Sequence, residues 1–156
     1  MATEMKNGDV LLDVKDLNIS FKTKKGRVKA VEHLNFQMKK GELLALVGES
    51  GCGKSVTSLA IMDLITRPGE VEAESITLDG IDLTKISPKE KRKLRGTKMA
   101  MIFQDPLTSL NPLFTVGNQI AEQFLTHIPG CTKAQAKEKS IEIIRKTGIP
   151  RPEAVY

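Results

Sequence analysis

Gly48-Glu49-Ser50-Gly51-Cys52-Gly53-Lys54-Ser55 is the stretch that decides how this chain is read. It matches the pattern G-x-x-x-x-G-K-[ST] at every fixed position, and its surroundings are those the pattern requires. Just before it, Glu42-Leu43-Leu44-Ala45-Leu46-Val47 is an almost unbroken apolar run entered through Gly41, which predicts a strand buried on both faces of a sheet. Just after it, Val56, Leu59, Ala60, Ile61, Leu64 and Ile65 recur at helical spacing until Pro68-Gly69, which predicts a helix over residues 54–65. A glycine-rich turn between strand and helix can curl so that its N–H groups point inward, and the helix adds the positive end of its dipole. The natural occupant is a polyphosphate. Lys54 can reach β and γ phosphates as a point charge, and the Ser55 hydroxyl can take one coordination position on Mg²⁺, which prefers oxygen.

Upstream, residues 11–14, 17–21 and 30–38 alternate apolar and polar side chains, with Lys24-Lys25-Gly26 as a turn, and predict antiparallel strands. Downstream, residues 71–78 read as a strand ending at Asp79-Gly80, and residues 99–103 as another apolar strand. Ser87-Pro88-Lys89-Glu90 has the form of a capping box, so a short basic helix should run to about Arg95. Residues 115–126 predict an amphipathic helix, and residues 132–147 a second, opened by Thr132-Lys133-Ala134-Gln135 and closed by Gly148.

At 156 residues the chain suits one domain or a piece of one, and 40% hydrophobic with 28% charged residues is the balance of a globular protein. The net charge of +5 comes largely from two lysine-rich stretches, residues 22–29 and 85–98, which read as solvated turn and helix faces. Two cysteines, Cys52 and Cys131, indicate no disulfide framework, and no run reaches the roughly 18 apolar residues of a membrane span.

A phosphate loop leaves the class of nucleotide protein open. A GTPase reading lacks both its Asp-x-x-Gly and its Asn-Lys-x-Asp. Several segments instead resemble the ATP-binding domains of ABC transporters, over nearly the whole chain. About forty residues of antiparallel strand precede the loop as in that family, and Phe21 stands where an aromatic stacks on adenine. After residues 99–103, Gln104-Asp105-Pro106 is similar to the family's glutamine loop, whose amide contacts Mg²⁺ or the attacking water. Pro106-Leu107-Thr108-Ser109-Leu110-Asn111-Pro112, with Thr115-Val116-Gly117-Asn118-Gln119-Ile120, looks like the ATPase subunits of oligopeptide, dipeptide and nickel importers, as does Val56 after the loop serine.

The resemblance implies an α/β fold: a P-loop NTPase core with an N-terminal antiparallel β subdomain over residues 11–103, then the glutamine loop and the start of a helical subdomain over residues 104–156. It implies nucleotide contacts at Phe21, Gly48, Glu49, Ser50, Gly51, Cys52, Gly53, Lys54, Ser55, Val56 and Gln104, with Ser55 and Gln104 on Mg²⁺, and ATP with Mg²⁺ as cofactors. It also implies a second ATPase subunit, transmembrane permease subunits met by residues 107–126, indirectly an extracytoplasmic binding protein, and a peripheral place on the cytoplasmic side of the membrane. No nucleic acid is expected.

Hydrolysis in this family needs an apolar strand ending in Asp-Glu, a histidine beyond it, and a Leu-Ser-Gly-Gly-Gln signature; none follows Gln104, so no catalytic residue is assigned. Asp79, followed by glycine, and the histidines His33 and His127 are poor substitutes. The expectation is the N-terminal half of a longer ATPase subunit, with residues 43–47 and 99–103 short of strand partners, and with turnover by this portion left open. The alternatives are an ABC-type ATPase acting on nucleic acid or ribosomes, with the basic runs on phosphates, and a nucleotide-binding module without turnover.

Overall fold

A computed structural model describes residues 10–105 and 109–156 and divides the chain into two compact units, residues 1–93 and 94–156. The first is built on β1 (Val10–Thr23), which pairs antiparallel with β2 (Gly26–Lys39) on one side. On its other side it pairs with β3 (Gly69–Glu72) and β4 (Ser75–Leu78). The short β5 (Ile81–Asp82) then pairs with β4. Asp79 (φ 47°) and Gly80 (φ 81°) make the tight turn of the β4–β5 hairpin, a conformation that suits Asp-Gly, and Lys40 pairs with the Asp79 carboxylate at 3.0 Å. Asp79 is thus a turn residue, as its sequence setting suggested.

β1 reads as two strands in sequence because its inward face changes parity. Leu12 and Val14 are buried on even positions, Leu17 and Ile19 on odd ones. The change occurs at Asp16, whose φ is 50°. Between the pairs Val14↔Phe36 and Leu17↔Leu34, β1 advances three residues (17 − 14) while β2 advances two (36 − 34). Between Leu17↔Leu34 and Ile19↔Val31 the imbalance reverses, two against three, at His33, whose φ is also 50°. These two offset bulges, one on each strand, cancel each other, and two further register shifts lie outside them, between Val10 and Leu12 and between Ile19 and Ser20.

The helix after the loop, α1 (Lys54–Ile61), packs Thr57 and Ala60 inward and contacts β1. It ends earlier than its apolar spacing suggests. Asp63 takes a left-handed φ of 56°, its N–H donates to Ala60 O at 3.0 Å, and the Leu64 N–H donates to Leu59 O at 2.8 Å. These bonds are those of a Schellman motif with aspartate where glycine usually stands. Near the unit's end, α2 (Pro88–Leu94) begins with the expected capping box: Ser87 N–H donates to Glu90 Oε2 at 2.8 Å and Glu90 N–H to Ser87 Oγ at 3.3 Å.

The second unit packs α3 (Val116–His127) against α4 (Lys133–Lys146), and α5 (Pro152–Val155) against α4. Small side chains let α3 and α4 approach: Ala121, Ala136 and Ser140 are buried with Ile144, and the Ser140 hydroxyl donates to Ala136 O at 2.7 Å. Thr115 caps α3 by accepting from Asn118 N–H. Thr132 and Gln135 form the predicted capping box on α4, with Gln135 N–H to Thr132 Oγ1 at 3.3 Å and Thr132 N–H to Gln135 Oε1 at 2.9 Å. Replacing Thr132 by alanine is expected to lower unfolding stability by about 1 kcal/mol, read from urea midpoints; an unchanged midpoint would remove the cap from the account.

Two predicted strands are not strands. Residues 42–47 are irregular, with Leu43 96% and Val47 91% exposed. Residues 99–103 contribute only the isolated bridge Arg95↔Met99, and Ile102 is 93% exposed. An apolar run becomes a strand only when neighbouring chain satisfies its N–H and C=O groups, and among the described residues no strand pairs with either. The sheet observed is accordingly antiparallel throughout.

Candidate functional site

The loop at residues 48–55 has the backbone that its glycines allow. Gly51 and Gly53 adopt left-handed φ values of 85° and 96°, and Cys52 N–H donates to Glu49 O at 3.3 Å across the turn. A Cβ on Gly53 would lie 2.8 Å from Val31 Cγ2 and 2.9 Å from Ala30 O, so the loop rests on the backbone of β2 and only glycine fits there. A Cβ on Gly48 would lie 2.5 Å from Cys52 Sγ. Thr57, 2% exposed, ties loop to helix: its N–H and its hydroxyl each donate to Gly53 O at 2.9 Å.

Lys54 folds back over the loop. Its Nζ donates to Gly48 O and to Glu49 O, both at 2.7 Å, and lies 3.4 Å from Cys52 Sγ. The ammonium is thereby held within the turn instead of extending into solvent. Ser55 is exposed on the first turn of α1, where backbone N–H groups have no intrahelical acceptor. This donor set, a left-handed glycine turn, a helix N-terminus and a fixed ammonium, fits a polyphosphate, and the Ser55 hydroxyl fits a hard cation carried by it.

Phe21 is half-buried near the end of β1, opposite Val28 of β2 and Gly69 of β3. Its Cε1 lies 2.9 Å from where a Gly69 Cβ would be, so the ring covers that glycine. The stretch of β2 facing Phe21 runs on directly to Ala30 and Val31, which touch Gly53. Gln104 lies in an exposed, irregular stretch of the second unit. Pro106, Leu107 and Thr108, part of the sequence resemblance, lie outside the described residues. His33 Nδ1 lies 2.6 Å from Asp16 Oδ1, and His127 packs against Gly96, so each histidine has a local structural partner.

Sequence reasoning did not single out Ala30, Val31 or Thr57, which support the loop from beneath. The only hint for Thr57 was a polar residue on an otherwise apolar helix face, and nothing local marks Ala30 or Val31.

Comparisons with known proteins agree on one family. The sequence profile described as ABC transporter matches residues 31–154. A dipeptide transport ATP-binding protein DppD of Haemophilus influenzae is 52% identical over 144 residues, 92% of this chain and 43% of that protein. The oligopeptide transport ATP-binding protein OppD of Bacillus subtilis is 51% identical over 144 residues, 92% of this chain and 40% of its own length. The chain thus spans about two fifths of these relatives. Among solved structures, the dimeric post-hydrolysis state of the ATP-binding cassette MJ0796, bound to ADP and Pi, superposes with a TM-score of 0.77 at 20% identity, over 90% of this chain and 59% of that one. That likeness establishes the cassette fold for the portion present.

Proposed function

Because this chain belongs to the ABC transporter family, we propose that it is the nucleotide-holding portion of an ATP-binding subunit that couples ATP to the uptake of peptides or related substrates such as nickel. The phosphate loop carries the reading: Lys54 is fixed on Gly48 O and Glu49 O with α1 directly behind it. The relatives named for dipeptide and oligopeptide transport support the substrate class.

In this reading the loop amides and the N-terminus of α1 hold the α and β phosphates, and the Lys54 ammonium neutralises the β and γ phosphates. The Ser55 hydroxyl would supply one oxygen to Mg²⁺, which when bound would draw charge from the phosphate oxygens. Phe21 offers a π face to the base and selects weakly among bases, since every base has one. Two motifs the family resemblance calls for in hydrolysis, an apolar run ending in Asp-Glu and Leu-Ser-Gly-Gly-Gln, do not occur in this sequence.

Partners in this reading are a second ATPase subunit and transmembrane permease subunits, with a peripheral place on the cytoplasmic side of the membrane. No helix among the described residues is long and apolar enough to cross a membrane. The basic runs are poorly placed to serve nucleic acid, because much of their charge is already paired. Lys22 and Arg27 meet Glu70, Lys29 meets Glu32 at 2.6 Å, Lys85 meets Asp82 at 2.8 Å and Lys91 meets Asp63 at 2.9 Å. Affinity capture of the chain from solubilised membranes tests the assignment. Recovery of permease subunits is the expected result, whereas retention on nucleic acid at moderate salt without membrane subunits would overturn it.

A further inference from the structure

The two central bulges of the β1–β2 hairpin, at Asp16 and His33, are held by an arrangement that the nucleotide reading leaves unexplained. The tripeptides Asp16-Leu17-Asn18 and His33-Leu34-Asn35 face each other, with Leu17 opposite Leu34. Each asparagine does the same double task. Asn35 accepts from Asp16 N–H through Oδ1 at 2.8 Å and donates through Nδ2 to His33 O at 2.7 Å. Asn18 accepts from His33 N–H through Oδ1 at 2.9 Å and donates through Nδ2 to Asp16 O at 2.8 Å. The imidazole and carboxylate close the set, His33 Nδ1 to Asp16 Oδ1 at 2.6 Å; an ionised carboxylate only accepts, so Nδ1 carries the proton. This contact holds the Asp16 carboxyl below the usual carboxylate range.

Four backbone groups at two left-handed residues are therefore satisfied by side chains from the opposite strand and the same strand at once. Such a device costs conformational strain at Asp16 and His33, and its result is the parity change in both strands. Without it, a one-residue slip would turn Ile19 or Val31 to the other face. Ile19 is 1% exposed, and its partner Val31, with Ala30, is what Gly53 rests on.

We propose that the crossed pair Asp16-x-Asn18 and His33-x-Asn35 is a positioning element of the phosphate loop, fixing the register that brings Val31 beneath Gly53, with Ala30 next to it at a further register shift. Only its effect on nucleotide affinity depends on the function proposed above; its effect on loop order does not.

The test compares the Asn18→Ala/Asn35→Ala double variant with Ile76→Val, a core change in β4 remote from the loop, in a Cys131→Ser background. The readouts are the alkylation rate of Cys52 by iodoacetamide and deuterium uptake over residues 48–57, alongside the unfolding midpoint. Both loop readouts should rise about fivefold in the double variant, which removes all four asparagine bonds of the pair and passes the equivalent of about one of them on to the loop, and stay at the parent level in Ile76→Val. The single Asn35→Asp, which keeps the acceptor for Asp16 N–H but loses the donor to His33 O, should give an intermediate rise and serves if the double variant does not fold. Unchanged loop readouts in either asparagine variant, with midpoints lowered as in Ile76→Val, would reduce the pair to ordinary hairpin stabilisation and overturn the proposal. Loop readouts that respond while the parent chain fails to bind ATP would sustain the positioning role and refute the nucleotide reading alone.

Discussion

Lys54→Ala is expected to weaken ATP binding by about 10- to 100-fold, the loss of the equivalent of one charge-assisted hydrogen bond to phosphate, worth about 1.5–3 kcal/mol. The geometry explains why no neighbour can compensate. The ammonium is held by Gly48 O and Glu49 O at 2.7 Å, so its position is set by the same loop that would receive the phosphates. The substitution also removes those two bonds, yet the side chain is partly solvated, and stability should fall by no more than about 1 kcal/mol. Lys54→Arg should rescue poorly, since a planar fork cannot occupy the place of a compact ammonium. Calorimetric titration with ATP, set beside urea unfolding of the same samples, separates the two effects. Affinity within twofold of the parent chain would contradict the role assigned to Lys54.

Gly53→Ala should have the largest effect on the loop itself. At φ 96° and ψ −4° an L residue carries strain of about 1–2 kcal/mol. The added Cβ would also meet Ala30 O at 2.9 Å and Val31 Cγ2 at 2.8 Å. The carbonyl belongs to β2 and cannot rotate away, so the loop must shift, at a further cost of about 1–3 kcal/mol. A total loss of roughly 2–5 kcal/mol in unfolding free energy, with ATP binding abolished, is the expected outcome. Gly51→Ala is the internal comparison: φ is 85°, but nothing lies within 4 Å of its Cβ position, so strain alone applies, about 1–2 kcal/mol. Equal losses for the two variants would show that contact with β2 does not matter.

The parts of the fold legible in sequence were those encoded by neighbours along the chain. The phosphate loop, the capping boxes at Ser87 and Thr132, the turn at Lys24-Lys25 and the hairpin turn at Asp79-Gly80 each follow from a few adjacent residues, and each is present. What sequence misread depends on partners distant in the chain. Residues 42–47 have strand composition, but composition does not supply the neighbouring strand, and Leu43 and Val47 stand exposed. Residues 71–78 read as one strand and are two, because β3 pairs with Asn18 to Phe21 while β4 pairs with Leu12 to Lys15, and the chain must step between them. The repeated x-Leu-Asn of the bulges carries meaning only once Leu17 and Leu34 are known to be opposite each other. α1 ends at Ile61, ahead of its apolar pattern, because Asp63 adopts a conformation more often reserved for glycine.

The candidate site divides the same way. The turn proposed to hold phosphate was readable as a unit because its glycines, its lysine and the start of α1 lie within eight consecutive positions. Its support was not, since Ala30 and Val31 reach Gly53 from a strand more than twenty residues earlier.

The central claim is that residues 48–55 bind ATP through its phosphates. The most direct measurement is titration of the chain with ATP and Mg²⁺ against adenosine under the same conditions. If the loop's N–H groups and Lys54 hold phosphate as proposed, ATP should bind at least about 100-fold more tightly. Equal affinity for adenosine and ATP would mean that the loop does not hold phosphate, and would contradict the account.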